Sequence, residues 1–458
     1  MCNLLSGLPN MNSLLEHPLF TGVGTERVKQ TAREVLDELR GDILTGKAST
    51  LPDLDECAEL ISARLNADAN NLRGLINATG IVLHTNLGRS PLGTDMFAAA
   101  AEVCAGYCNL EYDLETGRRG SRYSHTEELI RKLTGAEAAM VVNNNAAAMV
   151  LILSALAAGK KVAISRGELV EIGGSFRIPE IIEQSGAKLV EIGSTNKTRL
   201  SDYIEAVNNH GAEVLLKVHT SNYEIIGFTE SVSVRELAAY AKSAGLPLLY
   251  DMGSCYLTDP EQLGLPAGET ARSGVAAGAD VICFSGDKLM GSVQAGIIAG
   301  DEELIAKIKK HPLARAMRPD KLTLSVLETS LRLYKYPDEA AMRIPVLAML
   351  RASPSELFSR STALSNLLND CLPNWSIEVC EIMDEAGGGS LPNVRLPGWG
   401  VSLRAPEMSV NELEYKLRRG RIPVIIRIQD DKALISVRTL QPTDDARLIQ
   451  ALQDIAKQ

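Results

Sequence analysis

The chain has 458 residues, 45% hydrophobic and 23% charged, a globular composition long enough for two or three domains and a large core. A net charge of −10 excludes a surface coated in basic residues, although a local patch would still serve a nucleic acid. Eight cysteines without a CxxC pair, no basic-then-apolar leader and no apolar run of about 18 residues argue against a zinc framework, secretion and a membrane span; a cytoplasmic protein is expected.

Residues 1–70 read as a small helical unit. Val28, Ala32, Val35 and Leu36 recur at helical spacing, as do Leu54, Cys57, Leu60, Ile61 and Leu65, while Gly41, Gly46 and Pro52 break the segments. The acidic balance of this unit predicts a structural appendage or a dimerisation element. Two polar loops follow. Leu83-His84-Thr85-Asn86-Leu87-Gly88-Arg89 carries one arginine, and Thr116-Gly117-Arg118-Arg119-Gly120-Ser121-Arg122 is a Gly-flanked arginine run. Glycine permits turns that aim such side chains at an anion. Cys104 and Cys108, four apart with no ligand residues beside them, are expected to be buried thiols.

From residue 139 short apolar strands alternate with helices. Strands are expected at 139–142, 162–165, 188–192, 214–218, 247–250 and 280–284, with helical segments such as 234–244 between them. This pattern predicts an α/β domain over 71–320, its mostly parallel sheet covered on both faces and its ligand chemistry at the carboxyl ends of the strands. Polar residues fall at five such ends: 143–145, 166–168, 219–222, 251–254 and 285–288.

Asn143-Asn144-Asn145-Ala146-Ala147-Ala148 follows a strand and opens a helix, whose free N–H groups and dipole suit a phosphate; a plain Asn N-cap is the simpler alternative. His219 could face a cofactor ring, relay protons or serve only as a hydrogen-bonded loop residue. The run 248–251 ends in Asp251, and 281–288 delivers Lys288 just past Ser285-Gly286-Asp287. A buried lysine can form a Schiff base with an aldehyde cofactor, and a buried aspartate can keep a pyridinium nitrogen protonated. Asp251 followed by Lys288, each at its own strand end, therefore points to pyridoxal phosphate (PLP). Arg315 and Arg318, three apart after Lys309-Lys310-His311, project to one side of a helical turn, where two guanidiniums could fork onto an oxyanion.

Beyond residue 320 the texture becomes α+β. Helices are expected at 322–334, 346–350 and 356–369, strands at 375–380, 394–396, 424–428 and 433–437, and a helix at the end. Gly387-Gly388-Gly389 reads as a flexible turn and not a phosphate loop, because no helix clearly starts after it.

At these residues the chain resembles the bacterial selenocysteine synthases, the L-seryl-tRNA(Sec) selenium transferases, over nearly its whole length. The resemblance is carried by Leu8-Pro9, Ile76-Asn77-Ala78-Thr79-Gly80, 83–89, Leu110-Glu111-Tyr112-Asp113-Leu114, 142–148, 165–174, 217–223, 284–289, His311-Pro312-Leu313 with Arg315, and Pro423-Val424-Ile425 with Arg427. Two loops depart from the family pattern: Met290-Gly291-Ser292-Val293-Gln294-Ala295-Gly296 replaces Leu-Gly-Gly-Pro-Gln-Ala-Gly, and Met252-Gly253-Ser254-Cys255 replaces Leu-Gly-Ser-Gly. The resemblance implies a PLP-dependent transferase fold, aspartate aminotransferase-like and of fold type I, with a small helical N-terminal domain (1–70), a PLP-binding core (71–320) and an α+β C-terminal domain (321–458). It implies that Lys288 holds PLP, that Asp251 pairs with the pyridine nitrogen, and that Asn144, Asn145 and Ala146 meet the cofactor phosphate, with His219 and Ser285 in the same site. Arg89, Arg315 and Arg318 would form the pocket for selenophosphate, and the N-terminal domain would grip serine-charged tRNA(Sec). Water would leave the seryl group and selenium would add in its place, in a homo-oligomer built as a ring of dimers.

Two alternatives remain at this level. A PLP lyase or aldolase of the same fold would act on a small amino or sugar acid, against which the N-terminal domain weighs. An RNA-binding protein without chemistry is disfavoured by the retained Asp251 and Lys288.

Overall fold

The computed structural model describes residues 7–45, 51–67, 71–172, 176–392 and 394–457, and the chain divides into two units, Met1–Gly74 and Leu75–Gln458. Gly46, Gly173 and Gly174 lie outside the described residues.

The first unit contains α1 (Met11–Leu15), α2 (Thr25–Leu44) and α3 (Leu54–Ala67). Local sequence sets the starts of α1 and α3. Asn10 accepts the Ser13 N–H at 2.9 Å, and Asp53 and Glu56 cap each other's backbone N–H at 2.8 and 2.9 Å. Val28, Ala32, Val35 and Leu36 of α2 pack with Cys57, Ala58, Ile61 and Leu65 of α3. Leu60, expected on that stripe, is 45% exposed. One residue past Cys57, Ala58 and Ile61 fill the inward face at i+1 and i+4, and Leu60 turns outward.

The second unit is built on a seven-stranded sheet: β1 (Ala138–Val142), β2 (Lys161–Ser165), β3 (Lys188–Ile192), β4 (Val214–Val218), β5 (Leu248–Gly253), β6 (Val281–Ser285) and β7 (Gly296–Gly300), in the spatial order β1-β7-β6-β5-β4-β2-β3. All pairings are parallel except those of β7, which runs antiparallel to both β6 and β1. Every residue of β1, β5, β6 and β7 is buried, as strands covered on both faces require. β7 is not among the expected strands. Its Gly-Ile-Ile-Ala-Gly run is short, lacks alternation and carries glycine at both ends, so it gives no strand signal.

α4 (Asn145–Leu156) covers one face of the sheet, and α5 (Lys321–Leu333) supplies Leu324, Val326, Leu327 and Leu331 to the core on the other. A second sheet of β8 (Ser376–Glu385), β9 (Arg395–Arg404), β10 (Arg427–Gln429) and β11 (Lys432–Ser436) encloses its own core with α6 (Pro354–Cys371), α7 (Val410–Arg419) and α8 (Asp444–Ala456). β9 runs on through Pro397, Gly398 and Gly400, which sequence reasoning treats as breakers. A Cβ on Gly400 would meet the Ile435 carbonyl oxygen at 2.5 Å, so glycine is what lets β9 and β11 approach. The free thiols of Cys104 and Cys108 are half-buried, not fully buried as expected.

Candidate active site

Because β1, β2, β4, β5 and β6 are parallel, their carboxyl ends share one edge of the sheet. Asp251 lies inside β5, opposite Cys283 of β6, and not after the strand as expected. The pairing register shifts between Asp251 and Gly253, a bulge that re-aims the strand end. Asp251 is buried, and its Oδ1 accepts from the Asn145 amide at 2.8 Å and from the Gly253 N–H at 2.9 Å. Burial pushes its pKa up, while the Asn145 and Gly253 hydrogen bonds and Lys288 pull the other way. Among the described residues no hydrogen bond falls on Oδ2.

The helix that delivers Asn145 starts in contact with β7. Asn144 caps α4 by accepting the Ala147 N–H at 2.9 Å, which realises the simpler of its two expected roles. A Cβ on Gly296 would lie 2.2 Å from the Asn144 carbonyl oxygen, so the residue opposite Val142 on β7 has to be glycine. The Asn145 amide is committed to Asp251 and the Ala147 N–H to the Asn144 cap, which leaves the backbone N–H groups of Asn145 and Ala146 as the groups offered to an anion.

Lys288 is buried just beyond β6, whose last residue, Ser285, is also buried. Burial lowers its pKa first and the Arg89 guanidinium lowers it further; Asp251 and Asp287 oppose both. The amine is thereby biased toward the neutral, nucleophilic form. Arg89 donates to Asp287 at 3.2 Å and has φ 60°, a left-handed conformation rare outside glycine, held by its N–H on the His84 carbonyl at 3.1 Å. The triple glycine is a turn packed against this site. A Cβ on Gly389 would sit 3.6 Å from Lys288 Nζ, and one on Gly387 would sit 2.6 Å from the Leu83 carbonyl oxygen.

His219 donates its backbone N–H to the Asp251 carbonyl at 2.8 Å. The buried polar atoms His219 Nδ1, Ser221 Oγ, Asn222 Oδ1 and Asn145 Oδ1 have no protein partner among the described residues. Such atoms are costly unless a ligand or water meets them. The segment carrying the first three is pinned from β2's end. Glu168 accepts from Lys217 Nζ and from the Val218 N–H at 3.0 Å, and Tyr223 donates to the Gly167 carbonyl.

Arg315 and Arg318 were expected on one helical turn. The helix is only Leu313–Ala316, and Arg318 lies beyond its C-cap, Met317. Both nevertheless line one cleft, shared with Glu111, Arg119, Arg122 and His311. This cleft adjoins the start of α4, since the Asn143 N–H donates to the Met317 carbonyl at 2.9 Å. Arg89 is paired with Asp287 next to Lys288 and is not among the residues lining this cleft.

A model of the L-seryl-tRNA selenium transferase family matches residues 75–441. The L-seryl-tRNA(Sec) selenium transferase of Moorella thermoacetica is 48% identical over 455 residues, covering 98% of this chain and 96% of the relative. The chain belongs to the L-seryl-tRNA selenium transferase family. The enzyme of the same name from Solidesulfovibrio magneticus is 49% identical, with 98% and 97% covered. Among solved structures, D-glucosaminate-6-phosphate ammonia-lyase superposes with a TM-score of 0.58 at 21% identity, over 84% of this chain and 96% of that one; this likeness shows the fold.

Within the L-seryl-tRNA selenium transferase family this chain's two departures fit their surroundings. The Ser292 hydroxyl is fully buried and pairs with that of Ser330 at 2.7 Å, and Cys255 is buried in the core. Asp287 and Glu168 stand among the expected strand ends, but the Arg89–Asp287 and Glu168–Lys217 pairs and the approach of Gly389 to Lys288 are not foreseen there. Asp287 stands directly before Lys288, so its position was a signal; Gly389 gave none, because its neighbour is distant in sequence.

Proposed function

We propose that this protein converts seryl-tRNA(Sec) to selenocysteinyl-tRNA(Sec) with PLP as cofactor, taking selenium from selenophosphate. Family membership, with a buried Lys288 amine beside Arg89 and a buried Asp251 carboxylate on the same sheet edge, carries the reading.

The residues present suit PLP: an amine biased to neutral, a buried carboxylate with an uncommitted oxygen, a helix N-terminus and unmet buried polar atoms. When bound, PLP supplies a sink for the negative charge left at the substrate's α-carbon. Lys288 holds the cofactor covalently and is then placed to take the α-proton. Asp251 keeps the ring nitrogen protonated, and Asn145 holds Asp251 in orientation. The N–H groups at the start of α4 hold the phosphate. His219 and Ser285 border the ring. Arg89, Arg315 and Arg318 bind selenophosphate in a pocket completed where two copies of the chain meet, in a homo-oligomer arranged as a ring of dimers. The unit Met1–Gly74 grips the tRNA. We place the protein in the cytoplasm with its aminoacyl-tRNA substrate; among the described residues no helix is long and apolar enough to cross a membrane.

The direct test supplies the purified protein with seryl-tRNA(Sec) and selenophosphate and looks for selenocysteinyl-tRNA(Sec). Turnover of a free amino acid or sugar-acid phosphate with none of the seryl-tRNA would transfer the chain to the lyase reading. Deletion of residues 1–70 is expected to abolish preference for tRNA(Sec) while the visible absorbance of bound PLP persists. Equal tRNA affinity of truncated and full-length protein at one salt concentration would remove the N-terminal unit from this role.

A further inference from the structure

Glu111 occupies an unusual position in the second cleft. One carboxylate meets three guanidiniums: Oε1 accepts from Arg122 Nη2 at 2.6 Å, Arg122 Nε at 3.0 Å and Arg318 Nη1 at 3.2 Å, and Oε2 accepts from Arg119 Nη2 at 3.0 Å. Arg315 lines the same cleft, so the four arginines exceed the one acid by three positive charges. Arg119 and Arg118 are presented by a short hairpin, Tyr112–Asp113 against Arg118–Arg119, that turns back over Glu111. The arrangement is that of an oxyanion on an arginine cluster, with a tethered carboxylate standing where the anion's oxygens would go. The Arg122 guanidinium, and after it Arg119, hold the Glu111 carboxyl below the usual carboxylate range against the opposing effect of burial.

We propose that Glu111 is a built-in occupant of an oxyanion site formed by Arg119, Arg122, Arg315 and Arg318, and that a phosphate-type dianion binds by taking its place. This rests on the donor-pocket reading of Arg315 and Arg318 and extends it to Arg119 and Arg122. A tethered monoanion is always present and lowers the apparent affinity for every free anion. A dianion, with twice the charge and tetrahedral oxygens, competes with it better than a monoanion does. The alternative role for Glu111 is to organise the arginines for the ligand, and the two roles predict opposite signs.

The test uses the holoprotein and thiophosphate, the sulfur counterpart of selenophosphate, titrated calorimetrically at one salt concentration, with tRNA binding measured in parallel. Glu111→Gln is expected to tighten thiophosphate binding about twofold to fivefold, the span of a partly exposed ion pair. Glu111→Asp, which keeps the charge but shortens its reach, is expected to tighten it less, and it carries the test if the Gln variant does not fold. Equal or weaker binding by Glu111→Gln, or by Glu111→Asp in its place, would overturn the proposal and make Glu111 an organiser. Tighter tRNA without tighter thiophosphate also overturns it, since the cleft would then serve backbone phosphates. Arg315→Ala separates this from the reading beneath it. Thiophosphate affinity untouched by Arg315→Ala but raised by Glu111→Gln removes Arg315 from the donor site and leaves the occupant in place. The reverse pattern sinks the occupant and keeps Arg315.

Discussion

Lys288→Ala is expected to abolish turnover and leave the melting temperature essentially unchanged. The amine is needed twice, to hold the cofactor and to move the α-proton, and the second role alone contributes roughly 10²–10⁴-fold. Stability should survive because, among the described residues, Nζ makes no hydrogen bond that the substitution would break. Its depressed pKa says that burial disfavours the charged amine. Removing it also leaves the Arg89–Asp287 pair intact. The check combines a turnover assay with thermal unfolding monitored by circular dichroism. Activity near that of the unsubstituted protein without an added amine would mean that another residue holds the cofactor.

Asp251→Asn is expected to retain PLP and to slow exchange of the substrate's α-proton with solvent by about 10- to 100-fold, the rate equivalent of one charge-assisted hydrogen bond. A neutral amide cannot hold the ring nitrogen protonated. The substitution also turns an acceptor pair into one acceptor and one donor beside the Asn145 amide and Gly253 N–H, which both need acceptors. The Asn oxygen must therefore face them, and its NH2 group faces the ring nitrogen. That orientation favours the unprotonated ring, the worse electron sink. Proton exchange at an unchanged rate would detach Asp251 from the ring. Asn145→Ala should give a milder version, because it frees the carboxylate without neutralising it.

The sequence carried the edge of the sheet well, and for a physical reason. Parallel strands buried on both faces are continuous apolar runs, and polar residues that end them collect on one side. Asp251, Lys288, His219 and the Asn143–Asn145 run were visible that way. What it did not carry depends on contacts between distant residues. The need for glycine at 296 shows only when the Asn144 carbonyl is seen against it, and the need at 400 only when β11 is in place. Glu111 is flagged only as part of a resembling segment. Its partners are 8, 11 and 207 residues away, so no local pattern could reveal three arginines on one carboxylate. The tRNA and the selenium donor leave no periodic mark on a sequence; their assignment came through resemblance.

The strand that the sequence concealed has a consequence for how this gene can vary. Lys288 rides in the connection between β6 and β7, which is closed at its base by the Gly286 N–H on the Ala295 carbonyl at 2.9 Å and crossed by the Ser292 N–H on the Gly286 carbonyl at 2.8 Å. Its far side is tied down by the Tyr334 hydroxyl on the Met290 carbonyl at 2.8 Å and by the Leu289 N–H on Ser254 Oγ at 3.3 Å. Such a connection has no slack. One inserted residue would have to be absorbed either by moving the amine or by slipping β7 against β6 and β1, which would turn every β7 side chain to the other face. Insertions and deletions should therefore be purged from this short stretch far more strictly than substitutions, whereas the exposed loops of the fold are free to change length.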